Sequence, residues 1–435
     1  MSPPHSAGPP ATERVYLLAS RPQGSSPDAF ALQMEELSEL VLAAGAHVVG
    51  TESLGSRSPD AALYFGRGTV ERISMQRHQI DFDTLVSNDE LTPRQQRNLE
   101  AALDCRVIDR TDVILEIFAR HARTHDGRLQ VELAQLQHLL PRLVGDHSLS
   151  RLGGGIGTRG PGEQQLEYDR RRIRAKISSI TRELELVRRH RARRRLSRAQ
   201  ATLKSVAIVG YTNSGKSTLL NRLTGAGVLA DDQPFVTLDP TTRQLTLPSG
   251  RAVVLTDTVG FIQKLPTELV AAFRATLEEV TFADALVHLV DCSDPSARAQ
   301  IECVESVLAE MGAADKPTVV ALNKTDLIGP ATLRRLAGDV AASHTHVVTL
   351  SALTGSGLER LLGAIQLLTR AEMTHVSVLM PHSRPGLLAL VRRLGDIDSE
   401  TYLPEGVEIS AHVPAVVLAQ LARYLRQRRE AEVVS

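Results

Sequence analysis

The sequence predicts a multidomain α/β protein whose central domain is a doubly wound parallel sheet. Its 435 residues correspond to two to four domains, at roughly 100–200 residues each. Short apolar runs alternate with segments of helical periodicity, as in parallel sheets connected by crossover helices. A glycine-rich phosphate-binding pattern follows directly after one of these runs, which is its usual place in such a sheet.

Composition excludes several classes of protein. Apolar residues make up 42% and the formal net charge is zero, which excludes a wholly disordered chain. No apolar run approaches the roughly 18 residues that cross a bilayer, and the N-terminus shows no apolar signal-peptide region. The three cysteines form no C-x-x-C pair, which excludes a disulfide framework and a cysteine zinc site. We therefore expect a cytoplasmic protein without stable membrane insertion.

After a disordered tail at residues 1–11, a small α/β domain is predicted over 12–111. Strand and helix patterns alternate there, which implies a mostly parallel sheet. The predicted strands are 14–20, one near His47, 62–65, 84–89 and 106–110, and the predicted helices are 28–44, one from Gly68 and one from Thr92.

Residues 112–203 are predicted to form an antiparallel two-helix coiled-coil hairpin. Apolar residues recur at spacings of three and four in both helices, the pattern of a packed seam. The connecting loop, 152–163, includes a run with six glycines in ten residues and is either a flexible linker or a loop that orders on a partner. The seam residues are Leu129, Leu133, Leu136, Leu140 and Leu143 in the first helix, and Ile173, Ile177, Ile180, Leu184 and Val187 in the second.

Positive charge concentrates in this hairpin although the whole chain is neutral. Between Arg151 and Lys204, sixteen Lys and Arg residues stand against five acidic residues. Such a block indicates a polyanionic partner, whereas the simpler interpretation is a solvated helix face.

The central domain is predicted over 204–370 and a small C-terminal α/β domain over 371–435. Apolar runs in the central domain are typical of the buried strands of a doubly wound sheet. These runs are 206–210, 252–257, 285–291, 318–323 and 346–352; the C-terminal domain has predicted strands at 376–381 and 405–413 and helices at 385–395 and 415–427.

Residues 210–217, which we call the phosphate loop, match G-x-x-x-x-G-K-[ST] between a strand and a helix. Backbone amides of such a loop wrap a β-phosphate, and the following helix adds a favourable dipole. Lys216 can bridge the β- and γ-phosphates, and the Ser217 hydroxyl can bind Mg²⁺. The predicted phosphate-binding residues are Gly210, Tyr211, Thr212, Asn213, Ser214, Gly215, Lys216 and Ser217.

A second element begins where the strand 252–257 ends. Asp257 can hold the Mg²⁺ shell, and the amide of Gly260 can sense the γ-phosphate. The predicted contact residues of this element are Asp257, Thr258, Val259 and Gly260.

Base recognition is predicted at the ends of two later strands. Asp326 can accept from N1–H and the exocyclic amine of guanine, a donor set that adenine does not offer. Lys324 can lie along the base plane, and a backbone amide after Ser351 can reach guanine O6. The predicted guanine-binding residues are Asn323, Lys324, Thr325, Asp326, Ser351, Ala352 and Leu353. The bound nucleotides are therefore expected to be GTP and GDP, and we call the central domain the G domain.

A hydroxyl between the phosphate loop and Asp257 should bind Mg²⁺ when a γ-phosphate is present. Thr237, Thr241 and Thr242 all lie in this segment, and spacing does not choose among them.

Taken together, these motifs resemble those of HflX-type GTPases, in the Obg-HflX group of translation-factor-related P-loop GTPases, over about residues 12–435. The family's Mg²⁺-binding threonine corresponds to Thr237, which the resemblance selects. Val236 stands where the family usually has alanine, and Gln164 where it has a small hydroxyl residue. The segments that carry the resemblance are GGIGTRGPGE (154–163), GYTNSGKST (210–218), FVTLDPTTR (235–243), DTVGFI (257–262) and NKTD (323–326). The resemblance adds Phe235, Val236, Thr237, Leu238 and Asp239 to the nucleotide-binding residues.

The resemblance implies a Mg²⁺-dependent GTP hydrolase that binds the large (50S) ribosomal subunit and its rRNA through the basic hairpin. It further implies that the protein splits or rescues stalled ribosomes, and we expect it to act as a monomer. Two other functions fit the same motifs. One is a ribosome-assembly GTPase that binds precursor rRNA, and the other is an RNA-binding protein for which the nucleotide is only a structural ligand.

The expected reaction is in-line attack of water on the γ-phosphate. Lys216, Thr237 and Gly260 are the predicted catalytic residues, and Ser217, Thr237 and Asp257 are the predicted Mg²⁺ ligands. Phe261 stands where many GTPases carry a glutamine that orients water, and a phenyl ring cannot do this. Either a partner accelerates a slow hydrolysis, or Phe261 points away and another side chain orients the water.

Overall fold

A computed structural model of the protein describes residues 13–55, 58–143, 161–200, 203–225, 241–262, 278–370 and 373–424. These residues form two compact units, the first ending at Val187 and the second beginning at Arg188. The predicted tail at 1–11, most of the glycine-rich loop, and the segment that carries Thr237 lie outside the described residues.

The first unit begins with alternating strands and helices, as the sequence predicts. Its elements are β1 (Arg14–Ser20), α1 (Pro27–Ala43), β2 (His47–Leu54), α2 (Arg67–Ile80), β3 (Thr84–Ser87), α3 (Pro93–Leu103), β4 (Arg106–Asp109) and α4 (Arg110–His121). The four strands form a parallel sheet in the order β2-β1-β3-β4. Side-chain caps fix two helix starts: Ser26 caps α1, and Thr92 forms a capping box with Gln95 at α3.

The predicted strand at 62–65 is wrong, because these residues form a turn between β2 and α2. The Asp60 carboxylate accepts from the amides of Ala62 and Leu63 at 2.8 and 2.7 Å. Tyr64 has a positive φ of 61° and meets Asp60 only in an isolated bridge. A short carboxylate that bonds nearby amides in this way competes with strand formation.

Two further helices, α5 (His125–Arg142) and α6 (Pro161–Gln200), complete the helical part. Leu129 and Leu133 pack against Ile180 and Leu184 in one core, with Leu136 and Ile177 half-buried beside them. The order of contacts reverses along the chain, since His125 pairs with Glu183 and Glu132 with Lys176. The helices are therefore antiparallel, as the seam predicts.

A buried polar cluster holds the C-terminal end of α5 to the end of β4. Arg142 Nη2 lies 2.9 Å from Asp109 Oδ2, and Arg142 Nη1 lies 2.6 Å from Asp112 Oδ1. His138 Nε2 is 3.1 Å from the same oxygen of Asp112. Burial alone would raise the pKa of Asp112, but His138 and Arg142 bring it down to about 2. The cluster fixes the base of the helical pair.

The second unit contains the G domain. Its elements are β5 (Lys204–Gly210), α7 (Lys216–Thr224), β6 (Thr241–Thr246), β7 (Ala252–Asp257), β8 (Ala285–Asp291), α8 (Ala297–Glu310), β9 (Thr318–Asn323), α9 (Pro330–Ala341), β10 (Val347–Thr349) and α10 (Leu358–Arg370). The sheet order is β10-β9-β8-β5-β7-β6, with β6 antiparallel at one edge and the other strands parallel. The central strands β7, β8 and β9 bury nearly every side chain, which explains their continuous apolar sequence.

The C-terminal part of this unit is a small antiparallel sheet with two helices. Its elements are β11 (Thr374–Met380), α11 (Pro385–Leu394), β12 (Asp396–Leu403), β13 (Gly406–Val413) and α12 (Ala415–Leu421), with strand order β11-β13-β12. The sequence does not predict β12, because its side chains are largely polar and its pairing with β13 is interrupted by a bulge.

An ion pair that is almost fully buried joins the C-terminal sheet to the G domain. Arg251, in the turn before β7, lies with Nε 3.1 Å from Asp396 Oδ1, and these side chains are 3% and 1% exposed. Ser249 donates to the same carboxylate oxygen at 2.6 Å, and the Arg251 guanidinium also donates to Thr369 Oγ1 at 2.5 Å. None of the described helices is long and apolar enough to cross a membrane.

Replacing Asp396 by Ala should destabilise the second unit by about 3–5 kcal/mol, because the Arg251 charge would stay buried without its carboxylate. Thermal and urea unfolding followed by circular dichroism measure this loss. The matched control is Asp339→Ala, which removes the exposed partner of Arg298 and should cost less than about 1 kcal/mol. Equal unfolding midpoints for the two variants would contradict the conclusion that the buried ion pair stabilises the second unit.

Candidate nucleotide-binding site

The phosphate loop connects β5 to α7, and both of its glycines are required by space and by backbone conformation. A Cβ at Gly210 would lie 2.2 Å from Leu289 O, and one at Gly215 would lie 2.5 Å from Asn323 Nδ2. Both residues also have positive φ, 156° and 92°. A side chain at either position would push the loop away from neighbouring strand ends, so glycine preserves the cradle of amides.

Lys216, the first residue of α7, is 6% exposed and folds back over this loop. Its Nζ donates to Tyr211 O at 2.7 Å and to Gly210 O at 3.2 Å. Burial lowers the pKa of Lys216 to about 8, and the Asp257 carboxylate partly opposes this shift. A Cβ at Gly260 would be 3.0 Å from Lys216 Nζ, so Gly260 lies directly against the lysine.

Ser217 and Asp257 form an oxygen pair beside the lysine. The Ser217 hydroxyl donates to Asp257 Oδ2 at 2.8 Å, and Asp257 is fully buried at the end of β7. A hydroxyl and a carboxylate on one side of a phosphate loop are the oxygen donors that Mg²⁺ prefers. The two residues therefore fit the magnesium ion that the sequence predicts.

The segment after Asp257 is bonded to the phosphate loop. Thr212 N donates to Phe261 O at 2.8 Å, and Phe261 N donates to Gly210 O at 3.1 Å. The Phe261 side chain is 2% exposed, so its ring packs inside the protein and is not presented to a γ-phosphate. Thr258 is buried as well and donates to Ile208 O at 2.6 Å, which gives its hydroxyl a partner within the sheet.

Asn323, at the end of β9, connects the two halves of the site. Its Nδ2 donates to Ser214 O at 2.8 Å, and its Oδ1 accepts from Ala352 N at 2.9 Å. Asn323 is 2% exposed, so this amide is enclosed by the loops that it joins. The structure thus brings the phosphate loop and the loop after β10 to one edge of the sheet.

The remaining predicted base-binding residues surround Asn323. Lys324 has a positive φ of 62°, and its Nζ lies 2.8 Å from Asp291 Oδ2. Asp326 follows in a short 3₁₀ helix and is exposed. Leu353, at the start of the loop after β10, is 71% exposed. The exposed Asp326 and Leu353 thus lie on the two loops that meet at the buried Asn323 amide.

Asp291 contacts the predicted base-binding residue Lys324, although the sequence analysis does not single it out. It ends β8 directly opposite Asn323 in the sheet and accepts from Ser293 through its other oxygen at 2.9 and 2.5 Å. These bonds fix the carboxylate that holds Lys324. A carboxylate at the end of the strand next to NKTD is the signal that could have identified it.

The structure describes two of the three candidate threonines. Thr241 and Thr242 lie in β6, and Thr242 Oγ1 is 3.2 Å from Thr256 Oγ1 on the neighbouring strand. Thr237 lies outside the described residues, together with Phe235, Val236, Leu238 and Asp239. The choice of Thr237 as a Mg²⁺ ligand therefore remains an expectation from the resemblance.

Three family models match consecutive parts of the chain. The model described as GTP-binding GTPase N-terminal matches residues 31–119, and the one described as GTP-binding GTPase Middle Region matches 121–198. A model described as 50S ribosome-binding GTPase matches 205–324, the part that carries the phosphate loop and NKTD.

Relatives are similar along most of the chain. The GTPase HflX of Lacrimispora saccharolytica is 46% identical over 411 residues, which cover 94% of this chain and 96% of the relative. The GTPase HflX of Escherichia coli K12 is 40% identical over 392 residues, which cover 90% and 92%. Among solved structures, a GTP-binding protein from Sulfolobus solfataricus in complex with GDP is 26% identical, with a TM-score of 0.42, covering 82% of this chain and 99% of that one.

Replacing Asp326 by Asn should weaken GDP binding roughly 10- to 100-fold and strengthen binding of xanthosine diphosphate, because an amide donates where the carboxylate accepts. Displacement of a fluorescent nucleotide measures both affinities. Asp315→Asn is the matched control, since Asp315 is also exposed and lies before β9. If GDP and xanthosine diphosphate changed in parallel, Asp326 would not read the base.

Proposed function

The chain belongs to the HflX family of GTPases, and on this basis we propose that it binds the 50S ribosomal subunit and splits or rescues stalled ribosomes. The chain hydrolyses GTP, as its family does, and the proposed role of hydrolysis is to time release from the ribosome. The proposed place of action is the cytoplasm, and the proposed acting form is a monomer.

The observation that carries the proposal is the arginine-rich surface of α6. One face of α6 packs on α5, whereas arginines on its other faces are exposed. Arg171, for example, is 73% exposed at its side chain. Planar guanidinium groups suit bidentate contacts to phosphate, which favours an RNA partner. The described arginines in this surface are Arg171, Arg172, Arg174, Arg182, Arg189 and Arg193.

The geometry of the phosphate loop supports a simple division of labour in hydrolysis. Lys216, buried and bonded to the loop carbonyls, stabilises negative charge that develops on the γ-phosphate. Ser217 and Asp257, with Thr237, are the proposed holders of Mg²⁺, which when bound would neutralise charge on the β- and γ-phosphate oxygens. The amide of Gly260 is proposed to contact the γ-phosphate.

The buried ring of Phe261 leaves the orientation of the attacking water to another group, which is either a different side chain of this protein or a group of its partner. Since this side chain faces inward, it takes no part in orienting the attacking water. A group supplied by a partner contributes about 10³–10⁵ in rate in other GTPases. We propose that the ribosome supplies this assistance here.

Hydrolysis should be slow for the protein alone and should rise strongly with 50S and 70S particles but not with 30S particles. Phosphate release, measured against the concentration of each purified particle, gives this comparison, and light scattering of 70S particles reports splitting. Lys216→Ala is the control for contaminating GTPases. A fast rate that no particle changes would refute the proposal, and stimulation by precursor particles alone would favour the assembly function.

Affinity for 50S particles should fall with salt, because phosphate contacts release counterions. Arg172, Arg174, Arg182 and Arg193 are replaced together by Ala. This should reduce the slope of log affinity against log salt concentration by about 0.7–0.9 for each phosphate contact that is lost. Co-sedimentation over a series of salt concentrations measures the slope.

The matched control removes the same number of exposed arginines elsewhere in the chain. These are Arg94, Arg298, Arg334 and Arg335. An unchanged slope in the α6 variant, or an equal change in the control, would mean that the basic surface is merely solvated.

A further inference from the structure

The loop after β10, residues 351–357, is tightly turned and follows a short strand at the edge of the sheet. The strand before it has only three residues and lies at the sheet edge. Ser351 closes the loop, because its amide donates to Ser356 O at 2.9 Å and its carbonyl accepts from Gly355 N at 2.8 Å. Gly355 has a positive φ of 89°. Side-chain contacts beyond the β10–β9 pairing therefore help to set the position of this loop.

Two side chains on the phosphate-loop side provide such contacts. The first is Asn323, which accepts from Ala352 N. The second is Arg222 of α7, whose Nη2 donates to Thr354 O at 3.0 Å. The two contacts bracket Leu353, so both ends of the exposed turn are held.

The Arg222 guanidinium lies closely along the loop backbone. A Cβ at Gly355 would be 3.0 Å from Arg222 Nη2 and 3.3 Å from Nε. Glycine at this position therefore allows the positive φ of the turn and leaves space for the guanidinium. Arg222 stands on the same short helix that begins at Lys216, so one rigid element carries both the phosphate-binding lysine and the support of the loop.

We propose that Arg222 is a positioning residue for guanine recognition, which holds the loop of Ala352 and Leu353 at the distance from the phosphate loop that a guanine base requires. This inference rests on the proposed assignment of that loop to guanine O6. Without Arg222 the loop keeps its contact at Ala352 but loses the one at Thr354. The loss falls on contacts to O6 and leaves contacts to the phosphates in place.

Three nucleoside diphosphates distinguish a loss of contacts to the base from a loss of contacts to the phosphates. GDP and inosine diphosphate both carry O6 and N1–H, whereas 2-aminopurine riboside diphosphate lacks both; Arg222→Ala leaves Asp326, the predicted partner of N1–H, in place. In Arg222→Ala, the affinities for GDP and inosine diphosphate should fall about tenfold through faster dissociation, while the affinity for the 2-aminopurine nucleotide stays within about twofold. The rate at saturating GTP should be unchanged, and Arg222→Lys, which keeps one donor, should restore part of the GDP affinity.

The matched control is Arg334→Ala, which removes an arginine whose hydrogen bond within the described residues is to Pro330 O of its own helix. Thermal unfolding of each variant shows whether the second unit is intact. If Arg222→Ala bound all three nucleotides as the wild type does, or weakened all three equally, the positioning role would be overturned. If the wild type itself did not favour GDP over the 2-aminopurine nucleotide, the assignment of the loop to O6 would fail instead.

Discussion

One buried amide holds the nucleotide site together. Asn323 donates to the phosphate loop and accepts from the loop after β10, so a single side chain sets the spacing between the phosphate and base halves. Aspartate lacks the donor and glutamine is longer by one methylene, so neither can make both bonds in this space. A Cβ at position 215 would lie 2.5 Å from Asn323 Nδ2, so a side chain there would displace the Asn323 amide. The carboxyl ends of parallel strands converge here, which is where open α/β sheets bind their ligands.

The phosphate loop is also tied to the segment that follows β7. The backbone of Phe261 pairs with Gly210 and Thr212, and this pairing draws Gly260 against Lys216. The aromatic ring is therefore an anchor for a backbone segment, and its burial explains why this position carries an apolar residue.

Local patterns predict the strands and the phosphate loop, whereas long-range pairing decides what the sequence analysis misses. β5, β7, β8 and β9 are found because buried parallel strands are continuously apolar. β6 is missed because only Leu245 among its side chains is buried. The contacts of Asp291 to Lys324 and of Arg222 to Thr354 join residues 33 and 132 positions apart, and no spacing rule indicates them. Thr237 could be chosen only by resemblance.

The ion pair between Arg251 and Asp396 limits how the protein can be shortened. A fragment that stopped at Arg370 would retain the phosphate loop, NKTD and the loop after β10, yet it would lack Asp396. The guanidinium of Arg251 would then lose its counter-charge. Arg251 directly precedes β7, the strand that ends at Asp257. The C-terminal sheet thus stabilises the G domain through this ion pair. Removing the sheet would destabilise the G domain without removing any residue that is predicted to bind the nucleotide.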